Sequence, residues 1–474
     1  MRRTKIVCTI GPATSSRKAI RRLAVAGMDV ARLNFSYGTH ESHAAAIADI
    51  RSVSAELGKP IGILQDLPGP KLRVGEIAGG AMELRTGHEV TLRVRGRATG
   101  DEIPVPLPEL GAAVAPGQRL LLSDGRIELR VVEAEAGVIK CQVRVGGALE
   151  SHQGINVPEA ALPIRAVTAK DLADFRFGLS RQVDWVAMSF VRSADDLRPL
   201  RRAAKEAGAE VHLIAKIEKH EAIANLDEIV AAADAIMVAR GDLGVELPLA
   251  EVPALQKDII RRCNRAGKPV ITATQMLESM VTNPRPTRAE VSDVANAVFD
   301  GTDAVMLSGE TAAGQHPTEA VKVMAEVVAQ AELAYDFEAC WAERSGWPCS
   351  SIADGISEAA CGLARDIGAR AIVSATSSGA TALAVARQRP KARLIAATAN
   401  VATLTRLALV WGVRGVLAPR GRNTDELVVN AVDSAREAGL VRAGDRVVVT
   451  AGVPGRAGNT NLIKVEVVGR HERM

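Results

Sequence analysis

Eight short runs of β-forming residues, each closed by a different cluster able to handle phosphate or metal, constrain this chain more than any other feature. The runs are 5–10, 29–33, 61–65, 185–189, 211–216, 235–238, 270–272 and 304–307. What closes or follows them reads GPATSS, NFS, DLPGPKLR, SFVR, KIE, ARGD, TATQ and SGET. Parallel strands alternating with helices close into a (β/α)8 TIM barrel, and all eight strand C-termini then share one rim, where such barrels keep their reactive groups. That rim is expected to collect Arg32, Asp66, Lys216, Glu218, Arg240, Asp242 and Thr274.

At 474 residues the chain exceeds one compact unit, and roughly three domains of about 150 residues each are expected. Strand–helix grammar covers 1–70 and 166–338, the barrel catalytic domain. Its helices open on Thr39 and Thr168 and close on Gly27 and Gly58, ordinary start and stop signals. Between them, 71–165 alternates with period two and turns at Asp124-Gly125 and Gly146-Gly147, which predicts an inserted, barrel-like all-β lid domain. A lid planted on a catalytic rim can shut water out while the barrel stays rigid. From 339 to 474 a further α/β pattern predicts a separate domain with an open, largely parallel sheet.

The charged residues, 24% of the chain with a net charge of +4, are spread along it rather than gathered in an arm, so no nucleic-acid partner is expected. The six cysteines form no C-x-x-C pair and no zinc spacing with histidine, and read as buried small residues. No apolar run reaches the roughly 18 residues of a membrane span and no signal peptide is recognised, which predicts no membrane partner and a cytoplasmic location.

The sharpest chemistry lies in Lys216-Ile-Glu218 and Arg240-Gly-Asp242. Strand alternation puts Lys216 and Glu218 on one side, and the next strand brings Asp242 to the same place. Two carboxylates with room for substrate and water suit Mg2+, and an adjacent ammonium stabilises charge developing on a phosphoryl group or enolate. The same residues also fit a buried ion pair, Lys216 with Glu218 or Asp242. Arg32 and Arg73 are natural phosphate clamps, one on the barrel and one on the lid. Thr274 fits either a group orienting a proton or water at a reacting carbon, or a plain helix cap.

Read together, KIVCTIGPATSS, ARLNFS, GPKLRVGE, AKIE, MVARGDLGVE, TATQMLESM, PTRAEVSDVANAVFDGTDAVMLSGETAAG and GNTNLIKV closely resemble the pyruvate kinase family over essentially the whole length. The resemblance implies Mg2+-dependent phosphoryl transfer from phosphoenolpyruvate to ADP, giving pyruvate and ATP, in a homotetramer with a regulatory C-terminal domain. It implies that Glu218 and Asp242 hold Mg2+, with Mn2+ as the alternative ion. It implies that Lys216 stabilises the transition state, and that Arg32 with the Gly241 and Asp242 amides holds substrate anions. Thr274 is placed beside the enolate methylene, Thr274 and Ser308 in a water-relayed protonation, and Arg73 on nucleotide phosphate.

Three departures from the family pattern stand out. A monovalent-cation site matching Asn34, Ser36 and Asp66 has Leu67 and Lys71 where many members carry Thr and Glu, so Lys71 is expected to substitute for K+ and make K+ unnecessary. Tyr37 replaces the usual His, and Gln153 the usual Lys, both in the nucleotide region with Asn34. In the last domain, Ser377, Ser378, Gly379 and Thr381 form either a phosphate nest for a sugar-phosphate or AMP effector or a plain helix-start loop. Arg387, Arg389, Lys391 and Arg393 nearby add charge or form a solvated face. A pyruvate-handling lyase or aldolase and a non-catalytic metabolite sensor are the rival readings.

Overall fold

The computed structural model describes residues 2–160, 162, 164–452 and 460–469. Its first sheet is made of β1 (Lys5–Ile10), β2 (Val30–Asn34), β3 (Gly62–Leu67), β4 (Trp185–Met188), β5 (His212–Ile217), β6 (Ala235–Ala239), β7 (Val270–Ala273) and β8 (Ala304–Leu307). Every strand falls on an expected run. All pairings are parallel and the sheet closes in the order β1-β8-β7-β6-β5-β4-β3-β2.

Alternation sorts the side chains into two layers. Val7, Val30, Leu64, Trp185, Ile214, Met237, Ile271 and Met306 fill the interior. Ile6, Cys8, Ile63, Leu213 and Ile236 face outward and pack on the helices. The helix starts are as expected, with Thr39 and Thr168 in capping boxes with Ser42 and Asp171. Gly58 ends its helix in the left-handed region at φ 57°, which a Cβ would strain.

Residues inserted after β3 build a unit with its own apolar core, centred on Leu92, Leu120, Leu129, Ile139 and Cys141. Its strands form a six-stranded sheet plus a separate pair, Ala81–Leu84 with Gly147–Glu150. The pair bonds only to itself, so among the described residues this unit is two sheets on one core rather than a closed barrel.

The C-terminal sheet contains β9 (Ala371–Ala375), β10 (Arg393–Thr398), β11 (Val413–Leu417), β12 (Arg446–Gly452) and β13 (Thr460–Val467), in the order β11-β10-β9-β12-β13. Only β13 is antiparallel. The helix Val401–Leu407 stops short of the apolar residues that continue its run. The reason is tertiary: Ala408 and Leu409 enter the barrel's interior cluster, and Trp185 Nε1 donates to the Arg406 carbonyl at 3.2 Å. The C-terminal unit thus forms the barrel floor.

Of the basic run expected to add charge at an effector site or face water, Arg389 is instead part of that floor, while Lys391 is exposed. Arg389 is 3% exposed and donates to Asn264 Oδ1, the Gly301 carbonyl and Asp303 Oδ2 at 2.8, 2.9 and 3.0 Å. Cys8, Cys141, Cys263 and Cys361 are buried as expected, whereas Cys340 is half-buried and Cys349 exposed; all six are free thiols. Among the described residues no helix is long and apolar enough to cross a membrane. Of the GNTNLIKV segment, Gly458 and Asn459 lie outside the described residues.

Candidate active site

Strand alternation carries three charged side chains to the top of the barrel interior. In β2 the inward series is Val30, Arg32, Asn34; in β3 it is Leu64, Asp66; in β5 it is Ile214, Lys216, continued by Glu218. Register then sets them side by side, with Asn34 opposite Asp66 and Arg32 opposite Leu64. Lys216 Nζ stands 2.8 Å from Glu218 Oε1, 3.4 Å from Asp66 Oδ1 and 2.7 Å from Ser189 Oγ. Arg32 Nε reaches Asp66 Oδ2 at 2.7 Å while its Nη1 donates to Thr9 Oγ1 at 2.9 Å.

Burial alone would discharge these groups, so the sign of each shift shows which effect wins. Burial lowers Lys216, but Asp66 and Glu218 outweigh it and hold the ammonium charged well above the ordinary lysine range. Burial raises Asp66, yet Lys216 and Arg32 reverse that and keep it below the usual carboxylate range. Glu218 goes the other way: burial, helped by Asp242 and opposed by Lys216, pushes its carboxyl up. Lys216 and Glu218 do form the ion pair weighed above, at the centre of a larger network.

Asp242 enters from the short helix Arg240–Glu246 that follows β6. Its carboxylate lies 3.8 Å from Lys71 Nζ, and its charge raises both Glu218 and Lys216. Two carboxylates whose charges oppose one another are the kind of donor set that a divalent cation relieves. Among the described residues no three His, Cys, Asp or Glu side chains gather as a full cage. Mg2+ keeps several waters and substrate oxygens and does not require one.

Thr274 follows β7 in a left-handed conformation, φ 68°, and Gln275 repeats it at 53°. A β-branched residue there is strained and must be held. Arg240 does the holding: its guanidinium donates to the Ala273 and Thr274 carbonyls at 3.2 and 2.8 Å and pairs with Asp293 Oδ1 at 2.6 Å. Sequence reasoning put Arg240 on the rim, but its partners make it a brace beneath Thr274. The Thr274 hydroxyl accepts the Gly241 N–H at 2.7 Å and donates to the Ala273 carbonyl at 2.6 Å. Thr274 is therefore no simple helix cap, and the Gly241 amide is already engaged. Ser308 Oγ is buried with no hydrogen-bond partner among the described residues, while its backbone N–H donates to the buried Glu310 at 2.7 Å.

The lid meets this rim through Lys71 and Asn156. Lys71 Nζ lies 3.1 Å from Asp124 Oδ1, on a lid turn, and 3.8 Å from Asp242 Oδ1. Asn156 Nδ2 donates to the buried Glu246 at 3.1 Å, and Lys219 Nζ pairs with the same carboxylate at 2.8 Å. Arg73 is exposed and donates to the His152 carbonyl at 2.9 Å. The Lys71 ammonium thus pairs with Asp242 and Asp124 rather than with Asp66, whose cations are Arg32 and Lys216. Asn34 Oδ1 accepts the Ser36 N–H at 3.1 Å, Leu67 is buried, Tyr37 is 72% exposed, and Gln153 Oε1 accepts from Ser123 Oγ.

Ser189, Asp124, Glu246 and Asn156 were missed by the sequence reading. Ser189 had a signal, since it closes a barrel strand as the other rim residues do; the lid contacts had none, being partners distant in sequence.

In the last domain, residues 377–381 lie where the strand order reverses between β9 and β12, the crevice that binds ligands in open sheets. Gly379, at φ 88°, donates its N–H to Thr376 Oγ1 at 2.9 Å, and Thr381 Oγ1 meets Thr460 Oγ1 at 2.6 Å. The Ser377 carbonyl accepts from Thr403, and that of Ser378 from Arg406.

A family model described as "Pyruvate kinase, barrel domain" matches residues 1–321, and "Pyruvate kinase, alpha/beta domain" matches 354–466. Curated relatives align along nearly the whole chain. A protein of Geobacillus stearothermophilus named "Pyruvate kinase" is 49% identical over 472 residues, covering 98% of this chain and 80% of its own length. Relatives of the same name from Staphylococcus epidermidis and Staphylococcus aureus are 46% and 45% identical, each covering 99% of this chain and 81% of their own length.

Proposed function

The chain belongs to the pyruvate kinase family of phosphotransferases, and on that premise we propose that its barrel rim transfers the phosphoryl group of phosphoenolpyruvate to ADP. The single observation that carries the reading is the buried Lys216–Glu218 pair at the barrel top, with the half-buried Asp242 acting on both. Glu218 and Asp242 would hold Mg2+, which when bound neutralises phosphate charge and fixes the geometry of the transferred group.

In this reaction an ADP β-phosphate oxygen attacks phosphorus, the bond from phosphorus to the enol oxygen breaks, and the electron pair stays as the enolate of pyruvate. Lys216 stabilises the charge passing through the equatorial oxygens, and Arg32, braced by Asp66 and Thr9, clamps the phosphate. The enolate carbon then takes a proton. Thr274 has its own proton committed to the Ala273 carbonyl, so the unpartnered Ser308 hydroxyl is the better-placed end of a water relay. Substrate carboxylate would displace Thr274 from the Gly241 amide, with the Asp242 amide beside it.

Arg73 fits the nucleotide phosphates because it is free on its outer side; Asn34, Tyr37 and Gln153 sit in the same region by resemblance. Activity without K+ is supported by the Lys71 ammonium 3.8 Å from Asp242, a fixed positive charge beside the rim carboxylates. The nest at Ser377, Ser378, Gly379 and Thr381 is supported as an effector site by its place at the strand-order reversal. A homotetramer is proposed from the resemblance alone.

The test is pyruvate formation from phosphoenolpyruvate, with nucleotide, divalent ion and K+ varied in turn. Required outcomes are ADP-dependent pyruvate and ATP in equal amounts, loss of both on removal of divalent metal, and no activation by K+ over a Na+ control. Pyruvate without ATP would point to a lyase; no pyruvate at all would defeat the reading. A shift of substrate half-saturation by fructose 1,6-bisphosphate, glucose 6-phosphate or AMP decides the effector site.

A further inference from the structure

A cavity of about 740 Å3 opens at the edge of the C-terminal sheet opposite the 377–381 nest, between the strand N-termini and the residues that precede β1. Its lining carries eight basic side chains against two carboxylates, Glu338 and Asp445. Topology gathers them: Arg370 precedes β9, Arg393 and Arg446 open β10 and β12, Arg414 lies in β11, and Arg2 comes from the barrel. The cavity thus spans two units, which are joined there by the Gly412 N–H donating to the Arg3 carbonyl at 2.9 Å.

Some of these cations are already satisfied. Arg3 donates to the Pro390 and Lys391 carbonyls, Arg365 pairs with Asp366, and Arg393 donates to the Leu440 carbonyl. Arg370, Lys391, Arg414 and Arg446 have no side-chain hydrogen bond or ion pair among the described residues. Arg2 pairs with Asp29 through Nη2 at 2.5 Å, and its Nη1 is buried without a partner among the described residues. Lys5, whose Nζ donates to the Val413 carbonyl at 2.6 Å beside Arg414, is pushed down to about 7 mainly by burial, with Arg414, Arg2 and Lys59 adding to the lowering against Asp29.

We propose that this cavity is a binding site for a small, multiply charged phosphate-bearing anion, held by Arg370, Arg393, Arg414 and Arg446. Guanidiniums are planar forks that match phosphate oxygens two at a time, and clustered guanidiniums without carboxylate partners are stabilised when such an anion enters. The volume lies within the range of about 300–1,000 Å3 typical of small-molecule sites, and a concave wall selects a compact ligand. The site is separate from the nest at the other edge of the sheet. With about 3.3 Å per strand residue, Arg370 and Ser377 stand about 20 Å apart.

The probe is tripolyphosphate, titrated by calorimetry into the full chain without divalent metal at a fixed ionic strength of about 0.15 M, where long-range attraction is largely screened. The expected result is saturable one-to-one binding that weakens at least tenfold in the double variant Arg370→Ser/Arg446→Ser. Both side chains are exposed and unpaired, so the fold is kept, and unchanged pyruvate formation by the double variant checks this. Binding should persist in Arg73→Ser, at the rim, and orthophosphate should bind at least tenfold more weakly. Equal affinity in the double variant, loss that follows Arg73→Ser instead, orthophosphate binding as tightly, or heat without saturation would each overturn the proposal.

Discussion

Replacing Lys216 by Met removes one charge and keeps most of the side chain's volume, so the loss separates electrostatics from packing. The ammonium stands 2.8 Å from Glu218 and 3.4 Å from Asp66. A transferring phosphoryl group beside the same cluster would come within about 4 Å of it. At an effective dielectric of about 20 one such contact is worth about 4 kcal/mol, or roughly a thousandfold in rate. Arg32 keeps its own brace on Asp66 and Thr9, so phosphoenolpyruvate binding should change by less than about tenfold. Folding should suffer as well, because Glu218 loses its cation while still buried; breaking one partner of a buried pair costs about 3–5 kcal/mol. The measurement is turnover at saturating substrates, with denaturant unfolding on the same samples and rates taken only where the variant is folded. A folded Lys216→Met enzyme turning over within tenfold of the parent would refute the assignment and leave Lys216 as a structural ion.

Arg240→Lys keeps the charge but not the fork that holds the strained Thr274, so turnover should fall about ten- to a hundredfold with stability lowered by about 1–3 kcal/mol; unchanged turnover would show that Thr274 needs no brace. Lys5 supplies a pH test. Its folded value is about 7 against 10.5 unfolded, so between those values the unfolded chain binds the extra proton and stability rises with pH. From pH 7.5 to 9.5 the parent should gain about 2–3 kcal/mol more than Lys5→Met in urea unfolding; parallel curves would show that Lys5 is charged in the fold. Asn156→Asp sets a carboxylate against buried Glu246, and should raise the substrate half-saturation more than it lowers turnover if the contact draws the lid down; an unchanged half-saturation would deny the contact that role.

The barrel was legible because β-type runs at helix-length spacing have few other solutions, and Lys216 with Glu218 was legible because alternation fixes the side they share. What escaped depends on partners far along the chain. Arg240 looks like a rim cation until Asp293 and the Thr274 carbonyl claim it. The left-handed turn at Thr274 has no glycine to announce it. Arg389 sits in a basic run that reads as solvated, and only the folded chain shows Asp303 and Asn264 waiting beneath it. Lys71 was placed on a cation site by its motif, yet its reach ends at Asp242 and Asp124.

The inserted sheet unit and the C-terminal unit stand in opposite relations to the barrel. One hangs from two chain crossings at the open mouth, where additions and exchanges cost the stave core little. The other corks the closed end with Ala408 and Leu409 and bolts itself there through Arg389 and Trp185. Cutting the chain after the eighth stave would flood an apolar well, so the protein should melt in one transition across that seam and give no folded fragment ending at residue 338.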